Sequence, residues 1–250
     1  MTMILTDTTG GIRTITLNRP EARNALSLEL IEALRDAVAE CDRACRGGDV
    51  RVAVLAGAGK SFCAGMDLKG VIDDPARMGV MLKTLALTSL AIRSLPVPTV
   101  AHVQGAAVGG GCGLMVVCDF ACTHPESKVG YPEVDLGVCP AVVAPWLIRR
   151  IGAGRARAML LAGGTMSGSD GYAAGLATHC VPSTELDATV RTLAARLAAG
   201  GPVAQAATKE WLNRLDGSAD EATLIEAAAI SARVIAGPEA QSRLRAVMSR

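Results

Sequence analysis

The chain has 250 residues, half of them hydrophobic and a fifth charged, with a formal net charge of +1. That balance, with no dense Lys/Arg run, argues against an electrostatic nucleic-acid surface, and the whole aromatic set (Phe62, Phe120, Tyr131, Trp146, Tyr172, Trp211) is too sparse to stack bases. No window of about 18 residues is continuously apolar, so no membrane span is expected, and the length supports one large core with a small appendage.

The N-terminus, MTMILTDTTGGIRT, has no basic stretch leading into an apolar one, which reads as no secretory leader. The cysteines stand at 41, 45, 63, 112, 118, 122, 139 and 180, with no CxxC pair. The spacing offers no zinc ribbon, and free buried thiols in a cytoplasmic protein are expected.

In chain order, residues 12–18 alternate and are β-branched, a strand. Ser27 is a good N-cap for the helical period that follows it. Residues 50–55 (VRVAVL) form a second expected strand, followed by a loop rich in Gly, Ala and Asp. Residues 75–95 read as a helix stopped by Pro96 and Pro98. A strand at 99–103, a helix opened by Gly109, and short extended pieces at 120–123, 128–131 and near 179 complete the alternation. Strand–helix alternation predicts an α/β class with parallel pairing. Strand starts 40 to 50 residues apart suggest stacked superhelical turns. After about residue 186 the strands stop, and TVRTLAARLAAG, PVAQAATKEWLNRL, DEATLIEAAAISARVIAG and PEAQSRLRAVMSR read as small amphipathic helices that need packing partners. The expected division is 1–190 for the core and 191–250 for a C-terminal helical oligomerisation segment.

Two segments place glycine just after a strand: GAGKSFCAGMDLK (57–69) and GAAVGGGCG (105–113). Each alone reads first as a tight turn with close helix–strand packing. Two turns that free backbone N–H groups also suit an oxyanion hole, and a helix opening beyond Gly111 adds its N-terminal dipole.

NRPEARNALS (18–27), SFCAGMDLK (61–69), VQGAAVGGGCGL (103–114) and YPEVDLGVCPA (131–141) follow one another in an order and spacing that resemble the crotonase superfamily, the enoyl-CoA hydratase/isomerase family. The resemblance runs from about residue 12 to 248. It implies a spiral of ββα turns with a C-terminal helical trimerisation segment, assembled as a homo-trimer or a dimer of trimers. It also implies an acyl-CoA substrate, with coenzyme A as part of the thioester and no separate cofactor. Carried over by position, the N–H groups of Met66 and Gly110 hold the thioester oxygen. Ala64 falls where backbone reads the adenine, and Lys69 where a lysine meets CoA phosphates. Arg23 and Lys60 are further basic candidates, and Asp67 reads as a loop organiser.

Hydratases of the best-known type in this family use two glutamates. Glu133 fills one place, and Gly113 stands at the other, so a single carboxylate remains. Beside the apolar Tyr131, Val134 and Leu136, Glu133 is expected to carry a raised pKa suited to proton transfer. Asp135, two residues on, would share its face if the segment is extended. Ala141 stands where dienoyl-CoA isomerases carry an aspartate, which argues against that activity. Val142 and Val143, in VCPAVVAPW, are expected to reshape the pocket. The preferred reading is a hydratase-type lyase with Glu133 as acid/base; the alternatives are a Δ3,Δ2-enoyl-CoA isomerase using the same residue and a non-catalytic acyl-CoA-binding trimer. GGGCGL with LGVCPAVVAPW looks more like hydratases of branched or carboxylated enoyl-CoAs than like fatty-acid isomerases. His102, His124 and His179 fit no nucleophile or metal motif, and no metal is implied.

Overall fold

A computed structural model describes residues 2–69, 72–218 and 220–248. The chain opens with a hairpin, β1 (Ile4–Thr9) and β2 (Ile12–Leu17), turned by Gly10 and Gly11 at φ of 60° and 75°. α1 (Leu28–Gly47) follows, and its first turn is capped by the Ser27 hydroxyl, which accepts from the Leu30 N–H at 3.3 Å. β3 (Val52–Gly57), α2 (Pro75–Ser94) and β4 (Thr99–His102) come next. Asp74 caps α2 and Pro75 opens it, a position where the missing N–H costs nothing.

The middle of the chain is built from short pieces: β5 (Ala107–Val108), α3 (Gly110–Val117), β6 (Phe120–Thr123), β7 (Lys128–Gly130), α4 (Ala144–Ile151), α5 (Ala153–Ala162), β8 (Thr165–Ser167), α6 (Gly168–Ala174) and β9 (His179–Cys180). Four helices end the chain: α7 (Ser183–Ala198), α8 (Pro202–Leu215), α9 (Glu221–Ile235) and α10 (Pro238–Met248).

The larger sheet has the order β1-β2-β3-β4-β6-β9, parallel except for the β1–β2 hairpin. A second sheet, β5-β7-β8, pairs β5 with β7 in parallel and β7 with β8 antiparallel. The expected α/β class and parallel pairing are thus observed. The side-chain period of two divides β3 between two cores. Ala53 and Leu55 face the main core with α1, α2 and α3, whereas Val52 and Val54 join Val100 and Cys122 against Leu186, Val190 and Leu193 of α7. α7 therefore covers the sheet as one continuous helix, and the expected division at residue 190 falls inside it.

Two of the tail helices find their partners within this chain. α9 buries Leu224, Ala228 and Ile235 against α2, and α10 packs beside the 133–136 turn. α8 is different: Val203, Trp211, Leu212 and Leu215 are exposed. The eight cysteines are free thiols, with Cys41, Cys63, Cys112, Cys118 and Cys122 buried. No helix among the described residues is long and apolar enough to cross a membrane.

Candidate active site

The site starts from a buried asparagine. Arg23 and Asn24 take φ values of 53° and 56°, and asparagine tolerates this left-handed region better than most side chains. Asn24 Nδ2 donates to the carbonyls of Ala58 (3.0 Å), Ser61 (2.8 Å) and Phe62 (3.2 Å), while its Oδ1 accepts from the Arg19 N–H at 2.9 Å. One amide thus ties the 18–27 loop to the 57–69 loop. Arg19 adds an ion pair to Asp67 at 2.6 Å and donates to the Ala25 carbonyl. Asn24 is a structural residue that the sequence motifs did not single out; an Asn just before the capped helix was the available signal.

Between the two loops, the Leu26 N–H donates to the Gly65 carbonyl (2.8 Å) and the Asp67 N–H to the Leu26 carbonyl (2.9 Å). Backbone groups alternate in direction along such a ladder, so the Met66 N–H points away from Leu26. The second glycine turn lies against the first, with the Cys63 N–H on the Ala106 carbonyl (2.9 Å) and the Val108 N–H on the Cys63 carbonyl (3.0 Å). This contact explains two glycines. A Cβ on Gly65 would stand 2.8 Å from the Val108 carbonyl oxygen, and one on Gly111 would overlap the Cys63 carbonyl oxygen. Gly109, at φ 55° and ψ −122°, swings the chain so that Gly110 opens α3. Among the described residues, neither the Met66 nor the Gly110 N–H donates to another protein group. Both residues line one cavity of about 110 Å³.

Glu133 also lines that cavity. It opens a short 3₁₀ turn, Glu133–Leu136, behind Pro132. Its Oε1 lies 3.0 Å from where a Cβ on Gly109 would sit, so bare backbone at 109 makes room for the carboxyl group. Oε2 is buried and has no partner among the described residues. Burial pushes the Glu133 pKa up to about 7, because a charged carboxylate loses its hydration among Leu82, Leu85, Leu136, Val142, Val143 and Ile235. A hydrogen bond from its own backbone opposes this shift in part.

Some expectations need correction. The 133–136 segment is a 3₁₀ turn, not an extended one, so Asp135 does not share a face with Glu133; it is exposed and accepts from the Gly164 N–H at 2.9 Å. Gly113 does not line the cavity. A Cβ there would lie 2.6 Å from Val143 Cγ1, so the valine already fills the space that a side chain would enter. Ala141 is also outside the lining, whereas its neighbours Pro140, Val142 and Val143 are within it.

Ala64 lines the cavity, but its N–H is committed to the Arg23 carbonyl at 3.0 Å, leaving its own carbonyl as the free backbone group. Arg23, Lys60 and Lys69 are all exposed; Arg23 and Lys60 stand on the two loops that Asn24 joins. His102 and His124 face Asp187 and Glu126, and His179 faces Thr178, away from the cavity. No cluster of three or more His, Cys, Asp or Glu suited to a metal occurs among the described residues.

In chemical terms, two uncommitted N–H donors and a carboxyl group whose pKa is pushed up to about 7 border one small apolar cavity. Such donors stabilise charge developing on a carbonyl oxygen, and such a carboxyl exchanges protons with a carbon acid or a water.

Comparison with known proteins identifies the family. A solved structure described as an enoyl-CoA hydratase/isomerase from Mycobacterium paratuberculosis superposes with a TM-score of 0.88 at 26% identity, over 98% of each chain. An enoyl-CoA hydratase from Mycobacterium smegmatis gives 0.81 at 30% identity, over 99% of this chain and 96% of that one. A Mycobacterium tuberculosis protein named "Probable enoyl-CoA hydratase" is 33% identical over 214 residues, 85% of this chain and 82% of its own. The profile of the enoyl-CoA hydratase/isomerase family matches residues 7–248, and the chain belongs to that family.

Proposed function

We propose that the protein binds an enoyl-CoA thioester, holds its carbonyl oxygen between the Met66 and Gly110 N–H groups, and uses Glu133 as the only side-chain acid/base. The observation that carries this reading is the Glu133 carboxyl, with its pKa near 7, sharing a cavity with two uncommitted backbone donors. In hydration, the Glu133 carboxylate takes a proton from water as the oxygen adds to C3. The π electrons move into the thioester, forming an enolate held by the two N–H groups. The carboxyl group then returns its proton to C2. Each donor is worth about 2.7–4 kcal/mol of transition-state stabilisation by analogy with measured oxyanion holes. Lys69, Arg23 and Lys60 supply charge for the CoA phosphates at the mouth, and the Ala64 carbonyl faces the adenine.

The names of the relatives favour hydration. One observation favours the second reading, isomerisation. With Val143 against Gly113, no second carboxylate holds a water, and a 1,3 shift needs none. In that reaction Glu133 removes a proton from C2 of a 3-enoyl thioester and returns it to C4. Incubation with 2-enoyl- and 3-enoyl-CoAs in deuterated water, with mass analysis of products, separates the two. Hydration adds the mass of water to the 2-enoyl substrate; isomerisation gives deuterium exchange without addition. Absence of both over a broad panel, with CoA thioester binding intact, contradicts both and leaves the non-catalytic binder.

The assembly is part of the same reading. We infer a cytoplasmic homo-trimer or dimer of trimers built on a ββα spiral, with the exposed apolar face of α8 docked on a second copy. Sedimentation of the native chain tests it, and a monomer at micromolar concentration contradicts it.

A further inference from the structure

A second cavity, of about 120 Å³, lies near the C-terminal end of α3, whereas the catalytic cavity lies at the N-terminal end. Arg93 from the last turn of α2, Val116 of α3, and Trp146, Arg149 and Arg150 of α4 line it. Four buried donors there, Arg93 Nε, Trp146 Nε1, Arg149 Nη1 and Arg150 Nε, have no acceptor in the protein among the described residues. Trp146 is only 2% exposed, so its indole N–H is fully enclosed. Unpaired buried donors are costly, and native proteins rarely leave several in one place.

The other guanidinium nitrogens each have an acceptor. Arg93 meets Asp119 Oδ1 (3.4 Å) and Asp216 Oδ2 (2.8 Å). Arg149 donates to the carbonyls of Asp216 (2.9 Å) and Gly217 (2.6 Å), and Arg150 to those of Cys118 (2.9 Å) and Asp119 (3.2 Å). Arg149 and Arg150 therefore bond only to neutral carbonyls. The two nearby carboxylates are already engaged: Asp119 also accepts from Lys209 (2.7 Å) and Thr99, and Asp216 from Ser218. The exposed Asp220 also acts on Arg149, so the four cations around the cavity (Arg93, Arg149, Arg150 and, beyond Asp119, Lys209) meet three carboxylates, an excess of one positive charge in a partly desolvated place. Burial lowers the pKa of both Arg149 and Arg150, the penalty that a counter-charge relieves.

The volume is several times the roughly 10–15 Å³ that one water requires. Water can accept from these donors but carries no charge to offset the guanidinium groups. An oxyanion accepts from every side and carries the missing charge. We propose that this cavity is a binding site for a small tetrahedral oxyanion of the phosphate or sulfate class, clamping the ends of α2, α3 and α4 together.

The test is thermal melting in inorganic phosphate against sodium chloride at matched ionic strength, for the wild type, Arg149→Gln and Trp146→Phe, each repeated with saturating free CoA. The expected result is a saturable rise of roughly 3–5 °C at tenfold excess over Kd. It is lost in Arg149→Gln, reduced in Trp146→Phe, and retained in the presence of CoA. Turnover of Arg149→Gln stays at the wild-type level, which separates this site from the reaction. Its melting point in chloride alone checks that it folds, and a crystal grown with selenate shows an anomalous peak between Arg149 and Trp146. A phosphate effect no larger than that of chloride, an equal rise in Arg149→Gln, abolition by CoA, or density from water alone in the cavity overturns the proposal.

Discussion

At Gly113 the helix after the glycine turn carries no side chain, and Val143 takes up the space. The absence of a carboxylate was legible in GGGCGL; its replacement by a valine from a distant loop was not, because only the fold brings residues 113 and 143 together. This contact leaves no room for a glutamate side chain at 113 unless Val143 moves. Gly113→Glu alone forces Val143 aside and is expected to lower stability by about 1–3 kcal/mol, the usual range for overpacking. Adding Val143→Ala should recover most of that loss. Melting curves of the single and double variants check this; a single variant as stable as the wild type would mean that the 113 position faces open space. The direction of the Glu133 pKa shift was legible, although Leu82, Leu85 and Ile235, which help to bury the carboxyl group, come from distant helices that only the fold brings to it. Asp135 was misread because Pro132 and Gly137 bracket a 3₁₀ turn, in which residues two apart do not share a face.

At the scale of elements, the strands with β-branched alternation were legible: β2, β3, β4 and β6 lie within two residues of expectation. β1 was not, because ILTDTT is a sheet-edge strand exposed beyond its first residue and shows no apolar alternation. β5 and β8, of two and three residues, are too short to carry a pattern, yet β5 fixes the two glycine turns against each other. Their packing gives a sharp expectation. Gly111→Ala drives a methyl into the Cys63 carbonyl oxygen, displacing the turn that bears Gly110. Activity should fall about 10²–10³-fold, the cost of losing one oxyanion donor. Circular dichroism and steady-state kinetics on the same sample decide it; full activity in Gly111→Ala would show that the turn tolerates displacement and that the Gly110 N–H is not needed.

For the whole molecule, the C-terminal helices do more than await a partner. α9 lies along α2 and brings Ser231 and Ile235 to the cavity that holds Glu133, with the Ser231 hydroxyl fixed on the Cys139 carbonyl at 2.8 Å. Amphipathic period alone showed that these helices bury a face; it did not show which element receives it. Ending the chain at residue 217 removes that wall and uncovers the α2 face beneath it. The truncated protein is expected to precipitate or to lose turnover, as read by solubility and activity in parallel with the full chain. A soluble truncated chain with wild-type kcat/KM would mean that α9 is dispensable to the site.

The account rests most heavily on Glu133 as the single acid/base, and the pH profile of kcat/KM for the wild type and Glu133→Gln tests that directly. The free enzyme must present an ionised carboxylate, so wild-type kcat/KM should fall tenfold per unit below pH about 7 and level off above it. Glu133→Gln should lie about 10²–10⁴-fold lower across the range, without that acid limb, while its affinity for a CoA thioester stays near the wild-type value. Wild-type turnover in Glu133→Gln, or an unchanged acid limb, would contradict the assignment and both reactions proposed on it.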